Sequence, residues 1–298
     1  MKKLLNIDGG GIKVYFSLLI LKYIENKTNK NIKDIFDFYA GVSASSIILS
    51  IILTNHSLDY IIDRLKIVGK NIFYKSYFYT FYSLFGLLNS KYPEYHINSE
   101  LELQFNDIKL KDIDKPYIIL CYDLNTSSPV YYSSFDNLLN DELLWKIIRS
   151  STAAPILFPP YQLNDKLLID GGIVTNNLSE IIYTHALNYY NNEEFIQISI
   201  GTGFYSHKLN KKPLGLLSWT GSLLEIVLNA HSTYELNTMK QIGKINNLKH
   251  FFRIDLLLDE YIQLDDYTTF DKMDIIFDKW LNENTSYLDE ICEILINN

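Results

Sequence analysis

Short apolar runs alternate with stretches of helical period along most of the chain. Residues 3–7 read as a buried strand, and 15–25, with Phe16, Leu19, Ile20, Tyr23 and Ile24 at helical spacing, as the helix it feeds. The order recurs where 38–40, a short apolar strand, meets Gly41 and then the run Ile47, Ile48, Leu49. Further strands are predicted at 117–121, 130–132, 167–169, 195–200 and 251–254. Helices are predicted at 58–68, 141–150, 178–190, 223–240 and near the C-terminus. Strands alternating with helices imply an α/β fold with a mostly parallel sheet covered on both faces.

One stretch fits two readings. Phe73, Tyr74, Tyr77, Phe78, Tyr79, Phe81, Tyr82 and Phe85 crowd into 72–85. They suit an aromatic helix covering the core, or a flap that touches lipid and lines an acyl pocket, because tyrosine tolerates a surface apolar on one side and wet on the other.

The 298 residues suffice for one large α/β domain, and no linker or shift of composition divides them. With 27 Lys and Arg against 35 Asp and Glu, the net charge is −8. That balance argues against a nucleic-acid partner, whose affinity needs a basic face. The cluster Lys208, Lys211 and Lys212 reads as a solvated loop in preference to a phosphate-binding patch. The apolar N-terminal run ends at Asn6 and Asp8, too early for a signal peptide. The most apolar helical run, 47–53, is far shorter than the roughly 20 residues of a membrane span. A soluble, cytoplasmic protein is the expectation. Cys121 and Cys292 lack metal-ligand spacing and read as reduced packing thiols, with no metal.

Three short motifs follow predicted strands. Gly41-Val42-Ser43 has the order strand, Gly-x-Ser, helix of a nucleophile elbow, although a helix-capping serine gives the same pattern. Asp8-Gly9-Gly10-Gly11 allows a sharp bend that aims successive amides at an anion, as an oxyanion hole does. A dinucleotide-binding turn would need a glycine where Val14 stands. A purely structural turn remains open. Asp170-Gly171-Gly172 places a carboxylate on a turn, either as a base for a serine or as an Asp-Gly hairpin. None of His56, His96, His185, His207, His231 and His250 follows a strand in a catalytic setting, so a Ser/Asp pair fits better than a triad. In an open α/β sheet, residues at the carboxyl ends of strands meet on one rim, and the three motifs are expected to converge there.

Taken in series, the motifs resemble the patatin-like phospholipase family. Residues 8–13 are similar to its Asp-Gly-Gly-Gly-x-Arg segment, 41–45 to its Gly-x-Ser-x-Gly elbow, and 170–172 to its third element. Residues 151–160, Asn176-Asn177 and 198–203 also match. The resemblance implies a three-layer α/β/α fold in a single domain, 1–298, with a motif-bearing core at 3–203 and a C-terminal extension, 204–298, of the same domain. It implies Ser43 as nucleophile, Asp170 as base, and Gly9, Gly10 and Gly11 as the oxyanion hole. Gly41, Lys13, Gly171 and Gly172 support them. The implied activity is hydrolysis of glycerolipid or phospholipid esters without metal or dissociable cofactor, at a peripheral membrane or micelle surface.

Three positions depart from the family pattern. Lys13 replaces arginine, keeping the charge without the planar fork. Val14 and Ser45 replace glycines, and Ser45 is expected to crowd the strand-helix junction. Those two replacements motivate an alternative, a lipid-binding protein with a weakened site. A soluble esterase for small acyl esters is a third reading.

Overall fold

The computed structural model describes residues 1–83, 88–136, 138, 140–191, 193–205, 223–242 and 247–298. The first half runs β1 (Lys2–Ile7), α1 (Val14–Thr28), α2 (Ile32–Ile35), β2 (Phe38–Val42), α3 (Ala44–Leu53), α4 (Leu58–Ile72), α5 (Tyr77–Tyr82) and α6 (Glu94–Phe105). Then come β3 (Tyr117–Asp123), β4 (Ser128–Ser133), α7 (Leu144–Ser151), β5 (Tyr161–Leu163), β6 (Lys166–Asp170), α8 (Ser179–Tyr189), β7 (Phe195–Ile200) and β8 (Phe204–Tyr205). The chain ends with α9 (Leu223–Ile242), β9 (Leu248–Ile254), β10 (Leu257–Leu258) and α10 (Phe270–Asn297).

Eight strands form one sheet in the order β5-β6-β3-β2-β1-β7-β9, with β4 also pairing β3. The run β3-β2-β1-β7-β9 is parallel throughout. Its central strands lack the strict alternation of a half-wet sheet because helices cover both faces. Leu5, Ile7, Tyr39 and Ile198 share a core with α1, α3, α4, α6, α7 and α10. Leu4, Phe38, Ala40 and Val42 face the opposite way, onto α8 and Met239 of α9. The result is the three-layer α/β/α arrangement.

One expectation fails in an instructive way. Asp170 was expected at the carboxyl end of a strand running with the others, but β6 is antiparallel to β3. Register brings it to the site instead. Asp170 lies opposite Cys121, and Val42 lies opposite Leu120, so the residue after Val42 and Asp170 stand at one level on either side of β3.

The aromatic stretch splits. Phe73 packs on Tyr92 and Phe158, whereas Tyr77 and Phe78 are 97% and 83% exposed. A helix that covers the core does not describe those two. Phe85 lies outside the described residues, as do Lys208, Lys211, Lys212 and His207. Among the described residues no helix is long and apolar enough to cross a membrane. Cys121 and Cys292 are both buried and unpaired.

Candidate active site

Ser43 sits between β2 and α3 with φ 56° and ψ −134°. A side chain held there costs on the order of 1–3 kcal/mol, so neighbouring bonds must enforce it. They do so from both sides. The Ser43 N–H donates to Ser151 Oγ at 3.0 Å, and the Ser151 hydroxyl donates in turn to the Leu120 carbonyl at 2.7 Å. The Ser43 carbonyl accepts from the N–H and the hydroxyl of Ser46, at 3.0 and 2.6 Å. Ser151 opens the segment 151–160 that the sequence marked as supporting.

Ser45 does not crowd the junction. Fully buried, its hydroxyl donates to the carbonyl of Ile7 at 2.8 Å and accepts the N–H of Val42 at 2.9 Å. The side chain expected to disturb the elbow ties β1 to β2 behind it. Val14 is likewise accommodated, fully buried at the start of α1.

Asp170 ends β6, with Gly171 packed on the Leu120 carbonyl so closely that no Cβ would fit. Its Oδ1 accepts the Gly172 N–H at 2.7 Å, and the Ser43 side chain lies near enough to favour the ionised carboxylate. Burial pushes the Asp170 carboxyl up to about 6, against the opposing pull of Ser43 and the Gly172 amide. A carboxylate poised there is ionised at neutral pH yet basic enough to take a proton.

The glycine turn follows β1. Gly11 has φ 56°, a left-handed conformation that suits glycine, and the Leu264 carbonyl occupies the place a Cβ would take. Gly9 departs from its assigned part: its N–H is committed to the Asn176 carbonyl at 3.1 Å. Among the described residues, no backbone carbonyl takes the amides of Gly10 and Gly11. Lys13 Nζ donates to the Gly203 carbonyl at 3.2 Å, holding the far end of the turn. Gly41 lies against α3, within about 3 Å of Leu49 and Ser46 had it a Cβ.

Ser43, Asp170, Gly10, Gly11 and Gly172 all border one cavity of about 160 Å³. It is walled mainly by apolar side chains of three helices, among them Ile47 and Ile51 of α3, Ile61 and Leu65 of α4, and Leu101 of α6. Walls of this kind suit an apolar guest. Its outer seam is polar, where Arg64 pairs with Glu100 at 2.9 Å and Asn71 Nδ2 donates to Glu100 at 2.8 Å. None of the described histidines borders it.

The family model for patatin-like phospholipase matches residues 5–181, which carry all three motifs. The chain belongs to the patatin-like phospholipase family. Patatin-like relatives are distant. Probable inactive patatin-like protein 9 of Arabidopsis thaliana is 26% identical over 66% of this chain and 57% of its own length. An 85/88 kDa calcium-independent phospholipase A2 of Rattus norvegicus is 27% identical over 67% of this chain and 27% of its own. Patatin-T5 of Solanum tuberosum is 26% identical over 68% and 61%. The chain spans about half the length of the curated relatives it matches. Among solved structures, VipD from Legionella pneumophila aligns over 93% of this chain and 67% of that one, with 11% identity and a TM-score of 0.45, a loose likeness only.

Sequence reasoning missed one element of this patatin-like site. Arg253, on β9, donates to both carboxylate oxygens of Asp8, at 2.8 and 2.6 Å. The signal available was a lone cation in an otherwise apolar strand, Phe251 to Ile254.

Proposed function

We propose that the protein is a lipid acyl hydrolase of the phospholipase A type, with Ser43 as nucleophile and Asp170 as its base. One observation carries the reading: a serine in a strained backbone conformation and a buried carboxylate border the same largely apolar cavity, level with each other across β3.

Ionised Asp170 takes the proton of Ser43 as the hydroxyl attacks the ester carbonyl. The carbonyl oxygen gains negative charge, and the amides of Gly10 and Gly11 donate to it. Collapse expels the lysolipid alkoxide, which Asp170 protonates, and leaves the acyl chain on Ser43 with its tail among Ile47, Ile51 and Ile61. Water activated by Asp170 then frees the fatty acid. No step calls on a metal or dissociable cofactor.

Exposed Tyr77 and Phe78 support docking at a membrane or micelle surface, and the net charge of −8 favours a neutral lipid face over an anionic one. We read residues 1–298 as one domain, because β7 and β9 extend the sheet that holds β1 and β2. The bonds made by Ser45 remove the chief motive for a decayed, lipid-binding protein.

A fluorophosphonate probe tests the reading. Covalent labelling at Ser43 together with fatty acid release from mixed micelles is the expected result. An unlabelled, folded protein that releases no fatty acid would overturn it.

A further inference from the structure

The family match ends at residue 181, yet the turn that carries Gly10 and Gly11 is held largely from beyond it. Asp8 N–H donates to the Ile200 carbonyl at 2.9 Å, Ile12 N–H to the Leu264 carbonyl at 2.8 Å, and Thr202 Oγ1 to the Gly9 carbonyl at 3.2 Å. Three successive glycines make the most pliable backbone in the chain, and amide donors aid a reaction only when their direction is fixed beforehand.

Arg253 links the two ends of this turn. Nη1 and Nη2 each take one oxygen of Asp8, the residue before the glycines. Nη1 also donates to Ser199 Oγ at 2.8 Å, and Nη2 to Asp255 at 2.6 Å. The other oxygen of Asp255 accepts the Gly203 N–H at 3.0 Å, and the Gly203 carbonyl receives Lys13, the residue that closes the turn. The chain of contacts thus runs from Asp8 through Arg253, Asp255 and Gly203 to Lys13. Gly201 makes room for it, since a Cβ there would overlap the Asp255 carboxylate. Burial alone would lower the Arg253 pKa, but Asp8 and Asp255 outweigh it, so the guanidinium stays charged.

We propose that Arg253 is the positioning residue of the oxyanion turn, clamping Asp8 and Gly203 so that the Gly10 and Gly11 amides face the carbonyl presented to Ser43. The proposal rests on the acyl-hydrolase reading above. It requires the planar fork, because an ammonium group cannot meet two oxygens of Asp8 and one of Asp255 in a single plane.

The test uses the full chain and a monomeric p-nitrophenyl ester. Arg253→Lys should lower kcat about a hundredfold, the scale of a misplacement near 1 Å, with KM changed less than about threefold. Fluorophosphonate labelling of Ser43 should slow in proportion. Low-millimolar guanidinium, but not ammonium, should restore part of the kcat lost in Arg253→Ala. A folded Arg253→Lys variant that keeps kcat within about threefold of wild type overturns the proposal, and so does a loss shared equally by KM that guanidinium leaves unchanged. If neither variant folds, Asp255→Asn serves: a fall in kcat of about tenfold supports the clamp, and an unchanged kcat overturns it. Wild-type protein inert to both ester and fluorophosphonate would instead sink the hydrolase reading, and the clamp with it.

Discussion

The hydroxyl of Ser45 donates to the carbonyl oxygen of Ile7 across 2.8 Å, joining the ends of two neighbouring parallel strands next to the nucleophile. Restoring the family's glycine therefore removes a bond. With Ser45→Gly the buried Val42 N–H loses its acceptor, and stability should drop by about 1–3 kcal/mol. Turnover should fall as well. Urea unfolding and kcat measured on the same preparation check both, and a marked rise in kcat would show that the serine does obstruct the elbow.

Asp170 predicts opposite effects on activity and stability. Its folded pKa, about 6, lies above the ordinary carboxylate value, so the folded state holds the proton more tightly than the unfolded chain. The stability this contributes is complete below the unfolded pKa and is lost as pH rises to about 6, at a cost of about 3 kcal/mol in neutral solution. Asp170→Asn should abolish turnover yet raise Tm at pH 8, with little change at pH 3. Equal Tm values for the two proteins at pH 8 would contradict this account of the buried charge.

The same ionisation governs the rate. Only the carboxylate can accept the Ser43 proton, so kcat/KM should climb with pH through about 6 and then level off. A profile from pH 4 to pH 8 on a monomeric ester reads it directly. A midpoint near 4 would mean that burial does not hold the group up.

Chain length should be read by the cavity. Ile61 borders it from α4, a different helix from the one Ser43 caps, so Ile61→Trp narrows the space for an acyl tail from the side away from the elbow helix. Octanoyl ester hydrolysis should fall about tenfold or more while acetyl ester hydrolysis changes little. Equal losses on both esters would place the acyl chain elsewhere.

Tyr77 and Phe78 should matter only at an interface. Replacing both by serine is expected to weaken binding to zwitterionic vesicles severalfold, leaving hydrolysis of soluble esters intact. Unchanged vesicle binding would remove these rings from the lipid contact.

Most of the site was legible because its parts are local. A glycine run, a strand entering Gly-x-Ser and an Asp-Gly-Gly turn each carry their conformational meaning within a few residues. Strand direction is not written that way, and the residues of β6 read the same whether it runs with β3 or against it. Ser45 was misjudged because side-chain volume is visible in a sequence and a hydrogen bond to Ile7, 38 residues away, is not. Arg253 is 245 residues from Asp8, and nothing near either announces the other. Helix α6 escaped notice because only Ile97, Leu101 and Phe105 mark its buried side within a polar stretch.

The position of β1 has a practical consequence for anyone trimming this chain. β1 lies between β2 and β7, and β7 comes from beyond the family-matched residues. A fragment cut after residue 181 would strip one flank from β1, baring unpaired amides and carbonyls beside the buried Leu4, Leu5 and Ile7. Such a ribbon recruits other copies of itself, so the excised piece should precipitate on expression where the whole chain stays dispersed.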